Sequence, residues 1–422
     1  MSAILETTPV REAAPKTAHG LTEAYYTICP VFNAANVAVE LGWLDEEFKK
    51  VHAKAIYLRS LPDNQGWIPH YTHSLPNLFR DGGAIPTIQA KADLEDTKLI
   101  GLPGTQTGGQ ILVRAQSDIW RVADLKGRKI GLNRSLNKAK IDFVRGTAER
   151  GILVALALNG LKRSDVQIVD LDDADDHRFE PASKPSELWS QNSGRRLASG
   201  GAEVQALKEG RIDAIYSHAG RSQALVETGE FKVIEDLSRH PDWTLQVANG
   251  PITAAVNTAF AEKHPEVVIA YLRAAIRAGR WINANREAAA TILNRVTFHP
   301  TVAATAKAIA KFDFVPNLSP KNLAGVEIEK NFLRDHGYLQ RDFDVKAWAD
   351  ASFLQEALKG WIASERSRPT KRGGQEDVFQ LPVRQYAERH CARHDDVCRE
   401  PLRHSSRREY AGAGAAARHH RL

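Results

Sequence analysis

The segment Leu21-Thr-Glu-Ala-Tyr-Tyr-Thr-Ile-Cys-Pro30 is followed closely by Asn33-Ala-Ala-Asn-Val-Ala-Val-Glu-Leu-Gly-Trp-Leu44. The aromatic first half favours a strand, and the apolar spacing of the second half favours a helix. Because proline suits a first helical turn, the pattern predicts strand, sharp turn and helix, with Cys29 at or near the helix N-terminus. Such a place favours a thiolate, whereas a small buried cysteine is the competing interpretation.

Two further side chains follow within the same stretch. Gln65-Gly-Trp-Ile-Pro-His70 and Ser74-Leu-Pro-Asn-Leu-Phe-Arg80-Asp-Gly-Gly83 place an imidazole and a guanidinium ten residues apart. The second segment predicts a short helix from near Ser74 that the glycines terminate. Either side chain alone is usually structural, but with Cys29 they supply a thiol, a base and a two-pronged ligand for an anion.

The rest of the chain alternates predicted strands with predicted helices, which is typical of an α/β fold. Strands are expected at Val51–Leu58, Thr97–Leu102, Gly108–Arg114, Lys129–Leu132, Val166–Leu171, Arg211–Ser217, Phe231–Leu237 and Pro251–Asn257. A helix is expected to open at Asn133-Arg-Ser135 and to run to about Asn159. A strongly amphipathic helix with a proline in its first turn is expected from His264, with Tyr271 and Trp281 in the core.

The motifs Tyr26-x-x-Cys-Pro-Val, Gln65-Gly-x-x-x-His and Arg80-x-Gly-Gly-x-Ile-Pro resemble the aryl sulfinate desulfinases. The phrase Ile119-Trp-Arg-Val-Ala-Asp-Leu-Lys-Gly-Arg-Lys-Ile-Gly-Leu132 resembles the type II periplasmic-binding-protein fold. The resemblance implies a two-domain α/β fold of this type, with an active site in the interdomain cleft. It implies Cys29 as the catalytic thiol, His70 as its partner, and Arg80 with the Gly83 amide as the sulfinate site.

The chain departs from the family pattern in two ways. The segment between Cys29 and His70 is several residues longer, and Tyr71 and His73 stand where the family leads us to expect Phe and Tyr. These departures bear on the shape of the aryl pocket and not on the three catalytic candidates.

Further substrate contacts are predicted at Thr27, Tyr71, Ser135, Tyr216 and His218. Tyr216 and His218 lie at the carboxyl end of a predicted strand, where open α/β sheets bind ligands. Ser135 would open a helix after a strand, a favourable place for an anion. A plain helix cap is an equal alternative for Ser135, and a structural loop histidine is an equal alternative for His218.

Four segments follow from these patterns. Residues 1–19 are expected to be a disordered leader, 20–106 with 234–363 a discontinuous first domain, and 107–233 the second domain. Residues 364–422 are expected to be a disordered tail rich in Arg and His. The tail contains Cys391 and Cys398, whose spacing suits no zinc site. The body offers no clustered ligand set, so neither a metal nor an organic cofactor is expected.

Composition and charge argue against nucleic acid and membranes as partners of the folded body. The net charge of +6 comes mostly from the tail, which argues against nucleic-acid binding by the folded body. No apolar run reaches the length of a membrane span, and the start of the sequence is not typical of a secretory signal. A body with a single cysteine fits the reducing cytoplasm, where we expect a monomer.

The predicted activity is hydrolytic, cofactor-free desulfination of a small aromatic sulfinate, in which Arg80 clamps both sulfinate oxygens. The first alternative is a solute-binding protein for sulfonates or sulfate-ester-like anions that serves an ABC transporter. A binding protein needs no thiol at position 29, which disfavours that alternative. The second is a pyrimidine-precursor synthase relative of the same fold, whose expected cysteine clusters are not found.

Overall fold

Two five-stranded sheets organise the part of the chain that the structure describes. The computed structural model describes residues 20–104, 108–189, 201–247 and 249–366. The strands are β1 (Thr22–Ile28), β2 (Ala53–Tyr57), β3 (Leu78–Gly82), β4 (Thr97–Gly104), β5 (Gln110–Arg114), β6 (Lys129–Ser135), β7 (Gln167–Asp173), β8 (Ala214–Ser217), β9 (Phe231–Asp236) and β10 (Ile252–Asn257). The predicted leader and nearly all of the predicted tail lie outside the described residues.

Helices cover the sheets and join the strands. They are α1 (Ala34–Glu40), α2 (Trp43–Lys49), α3 (Trp67–Thr72), α4 (Ala84–Gln89), α5 (Phe143–Leu158), α6 (Ala202–Lys208), α7 (Ala219–Glu227), α8 (Thr258–Lys263), α9 (Pro265–Ala284), α10 (Arg286–Val296), α11 (Val302–Ile309), α12 (Pro320–Asp335), α13 (Val345–Trp348) and α14 (Ala351–Arg366). Helix α9 begins with a proline, and its Tyr271 and Trp281 are buried, as predicted.

The strand order shows that the chain forms two lobes and passes from the first to the second and back. The first sheet has the order β2-β1-β3-β10-β4, and the second has the order β7-β6-β8-β5-β9. The chain leaves the first lobe after β4, builds the second, and returns as β10, antiparallel to β3 and β4. The predicted α/β fold class is confirmed by this architecture. Strand β9 extends three residues past the predicted domain boundary at 233.

The structure corrects three local predictions. Residues 78–82 form strand β3 and not the end of a helix from Ser74, because they pair with β1 and β10 and are buried on both faces. Helix α1 begins at Ala34, after an Asn33 cap whose Oδ1 accepts from the Ala35 amide, so Cys29 lies five residues before it. The strand expected to end at Leu132 continues to Ser135, and α5 begins only at Phe143 behind its Asp142 cap.

Two kinds of feature are absent from the described residues. No helix there combines the length and the apolar character that a bilayer crossing requires. Nor do these residues bring three or more His, Cys, Asp or Glu side chains together as a metal site would.

Candidate active site

Strands β1 and β3 place four positions of the site, Thr27, Cys29, Arg80 and Gly82, on one face of the first sheet. The two strands are parallel, and Thr27 pairs with Arg80 while Ile28 pairs with Asp81. The Cys29 amide donates to the Asp81 carbonyl at 2.9 Å, which continues the ladder past the end of β1. Because strand side chains alternate between faces, Thr27 and Cys29 share a face with positions 80 and 82.

His70 lies over this face and is held at both ring nitrogens. Helix α3 presents it so that Nδ1 is 2.7 Å from Thr27 Oγ1 and Nε2 is 3.3 Å from Cys29 Sγ. Its carbonyl accepts from Arg80 Nε at 2.9 Å. When the ring proton is on Nδ1, it is donated to Thr27, and Nε2 is free to accept the thiol proton. The structure thus brings together the three predicted catalytic residues. Thr27, which was predicted as a substrate contact, lies against His70 as the partner of Nδ1, and its contact with a substrate stays a prediction.

The environment of His70 favours the neutral ring. Burial lowers the pKa of His70 well below its usual value, and the positive charges of Arg59, Arg80 and Lys140 lower it further. His70 and Arg80 are buried, whereas Cys29 is half-buried and so remains reachable by a ligand. The neutral imidazole can accept a hydrogen bond from the thiol at Nε2, but the same surroundings make it a weaker base than an exposed histidine.

Most N–H groups of the Arg80 guanidinium donate to other groups of the protein. Besides the bond to His70, Nη1 donates to the Gly83 carbonyl at 2.9 Å and to Thr87 Oγ1, and Nη2 lies 3.7 Å from Cys29 Sγ. A guanidinium has five N–H groups, so one on Nη2 is left for a ligand. The predicted two-oxygen clamp is therefore not available in this conformation. Arg80 therefore lies beside the sulfur through Nη2 and can offer one further donor.

Gly83 lies against the segment that returns from the second lobe. Its Cα faces the Asn249 side chain, whose Cγ would lie 2.3 Å from a Cβ built on Gly83. Asn249 in turn accepts from the Ala84 amide at 3.2 Å through its carbonyl and from the Ile85 amide at 2.8 Å through Oδ1. Glycine at position 83 is required here for space, and the predicted contact of its amide with a sulfinate stays a prediction.

Tyr71 and Ser135 line one cavity where the two lobes face each other. Tyr71 stacks on Phe143 of α5, with ring centroids 5.6 Å apart, and both residues line one cavity with Ser135. Ser135 Oγ donates to Asp175 Oδ2 at 2.8 Å, and Asp175 also pairs with Lys140. The Lys140 ammonium lies 4.9 Å from the centre of the Tyr71 ring. These two predicted contacts therefore share one aromatic and charged wall beside His70.

The other two predicted contacts have different surroundings. Tyr216 is buried in the core of the second lobe, and its hydroxyl donates to the Val247 carbonyl at 2.8 Å. Its ring fills the space above the Gly151 Cα, where a Cβ would lie 2.2 Å from it. Both the ring and the hydroxyl are occupied, so the reason for predicting a ligand contact at Tyr216 is removed. His218 is exposed at the N-terminus of α7, and its role stays a prediction.

Several residues of the site were not found from the sequence. Lys140 and Asn249 belong to loops with no recognisable motif, so the sequence carries no signal for them. Gly82 lies inside the Arg-x-Gly-Gly-x-Ile-Pro motif, which therefore contained a signal for it, whereas Thr87 is the first residue after the motif and was not marked by it. Their contacts with Arg80 and Cys29 required the three-dimensional register.

The chain is similar in sequence to curated desulfinases. Curated proteins named 2'-hydroxybiphenyl-2-sulfinate desulfinase, from Rhodococcus erythropolis and Rhodococcus qingshengii, are each 28% identical to the chain over 361 residues. These alignments cover 79% of the chain and 93% of the relatives. The resemblance stated from the motifs is thereby confirmed. No family model matches the chain.

Solved structures show the same fold. A Cys-to-Ser mutant of DSZB in complex with biphenyl-2-sulfinic acid superposes with a TM-score of 0.64 at 23% identity, covering 80% of the chain and 99% of its own. A putative periplasmic sulfonate-binding protein, SsuA from Methylobacillus flagellatus, superposes with a TM-score of 0.60 at 17% identity, covering 84% and 98%. One fold thus carries both a sulfinate-binding desulfurization enzyme and a sulfonate-binding protein, so the fold alone does not decide between them.

Proposed function

We propose that the chain is an aryl sulfinate desulfinase, a hydrolase that acts on a carbon–sulfur bond. It converts an aromatic sulfinate of the 2'-hydroxybiphenyl-2-sulfinate kind and water into the arene and hydrogensulfite. The aryl–sulfur bond breaks, the ring carbon gains one hydrogen of the water, and the sulfur gains the oxygen with the other. The observation that carries the proposal is the place of Cys29 Sγ, 3.3 Å from His70 Nε2 and 3.7 Å from Arg80 Nη2.

Two routes use this arrangement. In the first, the Cys29 thiol protonates the ring carbon, sulfur dioxide leaves and is hydrated, and the thiolate recovers its proton from that water. In the second, His70 takes the thiol proton, the thiolate attacks the sulfinate sulfur, and the departing aryl carbon takes the proton from His70; water then cleaves the thiosulfonate. Arg80 Nη2 stabilises the thiolate in both.

Sulfite release from 2-(2-hydroxyphenyl)benzenesulfinate by the purified protein tests the proposal. We expect turnover by the wild type and none by Cys29→Ser, because a serine hydroxyl is far less acidic than a thiol. The matched control is Cys391→Ser, which removes a thiol that belongs to none of the three motifs and should leave sulfite release unchanged. Release by Cys29→Ser at a tenth of the wild-type rate or more would remove the thiol from the chemistry.

Mass spectrometry of the quenched reaction separates the two routes. A gain in mass on Cys29 equal to one sulfur dioxide identifies attack on sulfur, whereas protonation of the ring leaves the cysteine unmodified throughout.

If the wild type binds sulfonates but releases no sulfite, the solute-binding alternative becomes the better interpretation.

We also propose a cytoplasmic monomer. The one cysteine among the described residues is a free thiol, which a reducing compartment preserves. Light scattering of the purified protein checks the monomer, and cell fractionation checks the compartment.

A further inference from the structure

Three of the four positions on the catalytic face of β1 and β3 carry the side chains described above. Thr27, Cys29 and Arg80 each contact His70. The fourth position is Gly82, which follows Asp81 just as Cys29 follows its pairing partner Ile28. In a parallel ladder with this register, Cys29 and Gly82 are cross-strand neighbours on one face.

The sulfur of Cys29 occupies the space that a side chain at position 82 would take. A Cβ built on Gly82 would lie 2.2 Å from Cys29 Sγ, 2.9 Å from Cys29 Cβ and 3.3 Å from Arg80 Nη2. Gly82 is not among the glycines with a positive φ, so its backbone accepts alanine without strain. Glycine is therefore needed at position 82 because the Cys29 thiol fills the space of a side chain, and not because of the backbone conformation.

We propose that Gly82 is a positioning residue that seats the Cys29 thiol between His70 and Arg80. The catalytic part of this inference rests on the proposed desulfinase function. A methyl group at position 82 displaces Sγ from a site where it lies within 3.7 Å of both Nε2 and Nη2. A displacement of about 1 Å in a catalytic group lowers a rate by about 100-fold, since the reacting atoms lose their alignment.

The first measurement is the steady-state kinetics of Gly82→Ala with 2-(2-hydroxyphenyl)benzenesulfinate. We expect kcat to fall by about 100-fold while KM changes by less than about threefold, because the thiol acts mainly after the anion is bound. The matched control is Gly101→Ala in β4 of the same sheet. Its Cβ would meet Pro316 and Leu272 at 3.5 and 3.6 Å, which is ordinary contact, so its kcat should stay near that of the wild type.

The second measurement is independent of turnover. Gly82→Ala should lower the melting temperature by several degrees in the wild-type background, as an overpacked site does. In a Cys29→Gly background both overlapping atoms are gone, and the same substitution should lower it by less than half as much. Circular dichroism at 222 nm follows both transitions.

These measurements test the positioning role of Gly82 separately from the proposed desulfinase function. Equal falls in melting temperature in both backgrounds, or a kcat for Gly82→Ala equal to that of Gly101→Ala, would overturn the role of Gly82. A wild-type protein that releases no sulfite would instead refute the desulfinase proposal. The melting temperatures would still show whether the Cys29 thiol packs against Gly82.

Discussion

Thr27 holds His70 from the side of the ring opposite the sulfur, through the 2.7 Å contact with Nδ1. Thr27→Val keeps the shape of the side chain and removes the hydroxyl. Loss of one buried hydrogen bond costs about 1 kcal/mol, so we expect kcat for sulfite release to fall by roughly 5- to 10-fold. Thr27→Ser retains the hydroxyl and is the matched control, whose kcat should stay within about twofold of the wild type. Equal rates for the valine and serine variants would show that the hydroxyl does not orient the ring.

Asp81 shows that neighbouring residues of β3 serve different faces of the sheet. While Arg80 faces His70, the buried Asp81 carboxylate accepts from the Tyr271 hydroxyl of α9. Burial raises the pKa of Asp81 from 3.8 to about 6, although the bond from Tyr271 opposes this shift. At the scale of the element, this carboxyl fastens the strand to its covering helix.

The raised pKa of Asp81 predicts a dependence of stability on pH. Its contribution is fully present below the unfolded value near 3.8 and is lost as pH rises through about 6. Asp81→Asn removes this titration and keeps an acceptor for Tyr271. From pH 4 to pH 7.5, the free energy of unfolding of the wild type should fall relative to the variant by about 2–3 kcal/mol. Urea unfolding at several pH values measures the difference, and a difference that is constant with pH would contradict the prediction.

Arg150 and Glu329 connect the two lobes at the scale of the whole molecule. Arg150 lies on α5, which packs on the second sheet, and Glu329 lies on α12, which packs with α4 of the first lobe. Glu329 is fully buried, and its carboxylate accepts from Arg150 Nη1. Burial raises the pKa of Glu329 to about 7, and the charge of Arg150 opposes the shift.

Breaking this pair should be costly because a buried charge is left alone. We expect Glu329→Ala to lower the free energy of unfolding by about 3–5 kcal/mol, measured by urea denaturation. The double variant Arg150→Met/Glu329→Leu should recover most of that loss, since neither charge remains. Glu327→Ala, which removes an exposed partner of Lys330, is the control and should cost less than about 1 kcal/mol. A cost for Glu329→Ala no larger than that of the control would mean that the pair does not hold the lobes together.

Local patterns in the sequence were enough for the α/β class, for most strands, and for Cys29, His70 and Arg80 as a group. Alternating strand and helix periods are written in neighbouring residues, so they are visible without a structure. The motif spacing was also sufficient for the resemblance to the desulfinases, which the comparisons confirmed.

Only the tertiary structure decided how those groups are used. Residues 78–82 became a strand because two distant strands pair with them, and pairing outweighs local preference. Arg80 lost its free fork because His70, Gly83 and Thr87 each take a donor, and Tyr216 was drawn into a core. Gly82 acquired its place beside the thiol from strand register. Each of these outcomes depends on which atoms share a volume, and residues far apart in the chain determine that.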